Sequence, residues 1–61
     1  MNGKEVIKRL KEAGFIVVRS QGSHFRLARG AIKVSVPVHS RRDLKPGTLA
    51  SIERQSRVKL K

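Results

Sequence analysis

The chain has 61 residues and no cysteine, and carries 15 Lys and Arg against four Asp and Glu, a formal net charge of +11. That length admits one domain, 1–61, which buries only about 60% of the surface its unfolded chain exposes. The missing cysteines exclude disulfide staples and thiolate metal sites, and the two histidines and four acids fall at no ligand-like spacing. No metal and no cofactor is therefore expected, and the core must come from apolar packing.

The apolar fraction, 38%, is too high for a disordered tail. A charge excess of this size opposes compaction by self-repulsion, so a polyanionic partner is expected. Nucleic acid is favoured over an anionic membrane or an acidic protein, because Lys and Arg neutralise phosphates and release condensed counterions. No run approaches the ~20 apolar residues of a membrane span. The start Met1-Asn2-Gly3-Lys4-Glu5 enters a charged segment without an apolar stretch. No secretory signal is read there, no membrane partner is expected, and a cytoplasmic location is.

In chain order, Asn2 and Glu5 stand at the spacing of a capping box. Val6, Ile7, Leu10 and Ala13 follow on one helical face, and Gly14 sits where a C′ residue stops a helix. The pattern predicts a helix over about 3–13. Glu5 with Arg9, and Lys8 with Glu12, have the spacing for ion pairs along it. Phe15-Ile16-Val17-Val18-Arg19 is β-branched and aromatic, as strands are. Ser20 to Ser23 reads as a turn, with Gly22 free to take a positive φ. His24 to Arg29 reads as a second strand that alternates, Phe25 and Leu27 one way, His24, Arg26 and Ala28 the other.

Ile32 to Val36 alternates again, and Pro37 ends it. Three strands joined by short turns predict an antiparallel meander with one buried face holding Phe25, Leu27, Ile32, Val34 and Val36. The opposite face then carries His24, Arg26, Lys33 and Ser35. A polar connection with Arg41 and Arg42 leads to Pro46, which suits the first turn of a second helix over about 46–56. The tail, 57–61, is basic. Its Val58 and Leu60 fit a short strand or a frayed end. The order α-β-β-β-α, with one apolar stripe per helix and one apolar sheet face, predicts an α+β fold. Both helices pack on one side of a three-stranded antiparallel sheet, the double-stranded-RNA-binding-like layout.

The residue that stands out chemically is His24, at the start of an alternating strand after a Gly-Ser turn. Imidazole is the side chain that exchanges a proton most readily near neutrality. Taken alone, such a histidine reads more readily as a solvated turn residue than as a catalyst. What raises it is its place on an open face beside Arg26 and Lys33.

The ordered set Ala13-Gly14-Phe15, Gly22-Ser23-His24, Val36-Pro37-Val38-His39 and Leu44-Lys45-Pro46-Gly47-Thr48-Leu49 with Ile52 resembles the HicA toxins, over about residues 5–55. The resemblance implies the toxin half of a HicA–HicB pair, a ribosome-independent mRNA interferase whose catalytic histidine follows Gly-Ser, which is His24 here. It also implies an acidic HicB-like antitoxin covering His24. The chain departs from the family's pattern at Phe25, where a second histidine is frequent, and at Ser56-Arg57-Val58, where an Ala-Gly-Leu-like stop is usual. Phe25 is read as inward-facing core.

RNA brings its own nucleophile, the 2′-hydroxyl, so a metal-independent cleavage needs one group for proton transfer and cations for the phosphate. His24 is the expected acid or base. Arg26 and Lys33 are expected phosphate contacts, Arg19, Arg41 and Arg42 extend the track, and Ser23 and Lys45 complete the RNA-contacting set. His39 has two readings, a second proton-transfer group or a residue that orients its loop through a backbone hydrogen bond. The sequence favours the orienting role. The alternative function is a non-catalytic basic RNA-binding module of the same fold, recognising A-form RNA by shape. Cleavage separates the two.

Overall fold

The computed structural model describes residues 1–60; Lys61, the last residue of the basic tail, lies outside them. The elements are α1 (Gly3–Glu12), β1 (Ile16–Gln21), β2 (His24–Arg29), β3 (Ile32–Pro37) and α2 (Pro46–Ser56). This is the expected α-β-β-β-α order, an α+β fold whose layout fits the double-stranded-RNA-binding-like description.

Helix α1 starts at a complete capping box. The Glu5 amide donates to Asn2 Oδ1 and the Asn2 amide donates to Glu5 Oε1, each at 2.9 Å. It ends in a Schellman arrangement, with the Phe15 amide donating to the Leu10 carbonyl at 2.9 Å and the Gly14 amide to that of Lys11 at 3.0 Å. Leu10 and Phe15 enter the core together. Phe15 thus precedes the sheet rather than opening it. Arg29 of β2 holds this corner from outside, donating to the Ala13 carbonyl at 2.6 Å with its guanidinium 4.9 Å from the Phe15 ring centre.

The strands form an antiparallel meander in the order β1-β2-β3. Gln21 pairs with His24, so the first turn is only Gly22-Ser23 and not Ser20 to Ser23. Gly22 takes φ +60°, the conformation required at the first position of a II′-type hairpin turn. Strand β1 is also irregular. Val17 pairs with Leu27 and Arg19 with Arg26, leaving Val18 as the extra residue of a bulge. Pairing therefore turns Arg19 and Gln21 to the face that carries His24 and Arg26, whereas Phe15 goes into the core.

Both helices pack against β3. One core joins Val6 and Leu10 of α1, Phe15, Leu27, Val34 and Val36 of the sheet side, and Leu49 and Ile52 of α2. Phe25 and Ile32 are half-buried against it, on the face the alternation assigned them. His24, Arg26, Lys33 and Ser35 are exposed on the other face.

Two local expectations are overturned. Neither Glu5–Arg9 nor Lys8–Glu12 forms an ion pair; among the described residues the ion pair present is that of the Met1 ammonium with Asp43, at 3.4 Å. The Glu5 carboxylate is committed to the cap, and exposed pairs of this kind contribute only a few tenths of a kcal/mol. Residues 57–60 of the tail form neither a strand nor a frayed end. Leu60 is buried, and its amide donates to Glu53 Oε2 at 2.8 Å, which folds the tail back along α2.

Two positions give stability predictions. Arg57 caps α2 in the left-handed region at φ +61°, where an L side chain is disfavoured. Arg57→Gly is expected to stabilise by about 1 kcal/mol, raising the thermal midpoint by roughly 4–8 °C. A Cβ on Gly3 would lie 2.5 Å from the Pro37 carbonyl oxygen and 2.8 Å from Val38 Cγ2. Gly3→Ala is expected to destabilise by about 1–3 kcal/mol in urea unfolding, because backbone at the β3 exit must move.

Candidate active site

The hairpin tip and the exit of β3 meet at one hydrogen bond. The Val38 amide donates to the Ser23 carbonyl at 2.6 Å, continuing the ladder one step past the His24–Pro37 pair. The chain then turns through His39-Ser40-Arg41-Arg42, where the Arg42 amide donates to the His39 carbonyl at 3.0 Å and Ser40 is held at φ +58°. The Leu44 amide closes the loop on the Met1 carbonyl at 2.9 Å. The loop that carries His39 is therefore pinned at both ends. The hydrogen bond at this turn is made by the His39 main chain and does not depend on its side chain. Its imidazole makes no hydrogen bond among the described residues.

Two recesses open beside this junction. The first, about 240 Å³, is lined by Arg19, Gln21, His24, Arg26 and Ser35. The second, larger and more open, is lined by Ser23, Val38, His39, Ser40, Arg41 and Arg42. The His24 and His39 rings connect them, with centroids 6.4 Å apart and planes at 86°. Both imidazoles belong to exposed residues.

The electrostatics are one-sided. Arg19 and Arg26 stand directly opposite each other on adjacent strands, an arrangement that costs stability by like-charge repulsion. None of the four acidic residues of the chain lines either recess. Their known contacts lie elsewhere: Glu5 in the α1 cap, Asp43 at the N-terminus and Glu53 on the tail. An anion entering here meets cations without competition from carboxylates. Among the described residues no three His, Asp or Glu side chains gather.

Of the residues singled out in the sequence, the structure brings Arg19, His24 and Arg26 into one recess and Ser23, Arg41 and Arg42 into the next. Lys33 lies further along, in a recess shared with Arg26, Val34, Ser35 and Gln55. Lys45 is the exposed N-cap of α2 and lines none of these recesses. Gln21 and Ser35 also line the first recess; the sequence places Ser35 on that face but leaves Gln21 in a turn. The signal for Gln21 was available: with a two-residue turn, the residue before Gly22 must face His24 across the hairpin.

No helix is long and apolar enough to cross a membrane among the described residues. No curated protein and no solved structure matches the chain. Residues 3–58 match the family described as the HicA toxin of bacterial toxin–antitoxin systems. That match runs from the first residue of α1 past the end of α2 and takes in both histidines and both recesses, so the chain belongs to the HicA toxin family.

Proposed function

We propose that this toxin is a metal-independent, ribosome-independent endoribonuclease that cuts mRNA at His24. The observation that supports it most is the setting of His24. An exposed imidazole shares a recess with two directly opposed arginines and no acid. A like-charge pair at that position is poor for folding and well suited to a phosphodiester.

In this reading the RNA backbone crosses the open sheet face. Arg19 and Arg26 take the scissile phosphate and stabilise the charge that develops on it as the 2′-oxygen attacks. His24 removes the 2′-hydroxyl proton. Ser23, Arg41 and Arg42 contact the strand beyond the hairpin tip, and Lys33 and Lys45 extend the cationic track at its outer parts. The products are a 2′,3′-cyclic phosphate and a free 5′-hydroxyl. An mRNA substrate fits a cytoplasmic protein. The antitoxin partner implied by the family is proposed to be an acidic HicB-like protein that covers His24 and neutralises part of the +11 charge.

The decisive experiment incubates a defined single-stranded RNA with wild type and with His24→Ala in EDTA. Wild type is expected to leave 2′,3′-cyclic ends, and His24→Ala to be slower by about 10²–10⁴-fold at similar RNA affinity. Equal cutting by both would remove His24 from the mechanism. Bound but uncut RNA in both would leave the non-catalytic RNA-binding module. A second measurement follows the arginines. Arg26→Ala is expected to weaken RNA binding across sequences and to reduce the slope of log affinity against log salt by about 0.7.

A further inference from the structure

We infer that His39 is a second catalytic residue, the general acid that protonates the departing 5′-oxygen while His24 acts as general base. The inference rests on the ribonuclease reading above and changes it from a one-histidine to a two-histidine cleavage.

Four observations converge on His39. Its ring lies 6.4 Å from that of His24, edge to face. In an in-line displacement at phosphorus, the attacking and leaving oxygens sit on opposite sides of the phosphorus atom. Each needs its own proton-transfer group within about 2.6–3.2 Å. Two imidazoles at this separation can bracket one phosphate between them, which a single imidazole cannot do. Second, the His39 side chain is exposed and makes no hydrogen bond among the described residues, so the loop is oriented without it. Third, the turn that presents it is strained at Ser40, φ +58°, and pinned by the Val38–Ser23 and Leu44–Met1 bonds. Backbone strain of this kind persists where the surroundings enforce it, and gathers at functional positions. Fourth, the charged groups lining the two recesses are Arg19 and Arg26 around His24, and Arg41 and Arg42 around His39. All are cations, so phosphate is drawn to the space between the rings.

The assignment of roles follows from the shapes of the recesses. The nucleotide that supplies the 2′-hydroxyl must be held in a fixed orientation for in-line attack. The smaller recess, with the Gln21 amide, the Ser35 hydroxyl and His24, offers that hold. The leaving nucleotide needs an exit, which the open recess around His39 provides. The step then balances. The 2′-hydroxyl proton passes to neutral His24, the 2′-oxygen bonds to phosphorus, the phosphorus–O5′ bond breaks, and protonated His39 gives its proton to the 5′-oxygen. Water exchanges the two protons back.

The test uses two RNAs of one sequence, one normal and one with the scissile 5′-oxygen replaced by sulfur, whose thiolate leaves without a proton. The proteins are wild type, His24→Ala, His39→Ala and His39→Gln, each checked for an unchanged thermal midpoint. His39→Ala and His39→Gln are expected to cut normal RNA about 10²–10⁴-fold more slowly than wild type, and to cut the sulfur-containing RNA near the wild-type rate. His24→Ala is expected to be slow on both. If the His39 variants match wild type on normal RNA, or are equally slow on both substrates, His39 is not the acid and the inference falls while the His24 reading stands. If wild type cuts neither RNA, both fall together.

Discussion

The hydrogen bond from the Val38 amide to the Ser23 carbonyl, 2.6 Å long, is the join on which the site depends. It lies just beyond the last cross-strand pair of β2 and β3, where Pro37 has no amide to donate. It carries the ladder from the His24–Pro37 pair one residue further, onto the loop after β3. With it, Ser23-His24 and Val38-His39 become neighbours. The close fit of Gly3 against Pro37 and Val38 presses the start of α1 onto the same spot. The helix that opens the chain thus backs the segment that presents His39.

The surface around that join is stabilised poorly by itself. Opposed arginines, a left-handed serine and two exposed imidazoles occupy one end of the sheet. The opposite side offsets them with tight local devices: the capping box, the Schellman turn at Gly14, Arg29 over Phe15, and Leu60 drawn into the core. Natural sequences depart from local consistency mainly where they have work to do, and compensate elsewhere. The division between a consistent helix side and an inconsistent open face follows that rule.

Much of this was legible in the residues. The Asn2-Glu5 cap, the Gly14 stop, the alternation of β2 and β3 and the Pro46 helix start each carry a local mechanism that reads directly from sequence. The bulge at Val18 was not legible, because Ile16-Val17-Val18 gives no polar residue to mark which one is extra. That hid the pairing of Arg19 with Arg26 and, with the turn drawn too long, the place of Gln21. The tail was hidden for another reason. Its fate is set by a contact between Leu60 and Glu53 across the helix end, and apolar alternation over so few residues does not reveal such a contact.

The nearest-neighbour strand order has a consequence in time. Each strand pairs with the one just made, across turns of two residues, so little chain must be searched to close the sheet. Hairpins form in about 1–10 μs, whereas a ribosome adds only about 5–20 residues per second. The slow step in making this chain is therefore its synthesis, and the hairpin that carries His24 can close as soon as β2 is free to pair, before α2 has been added.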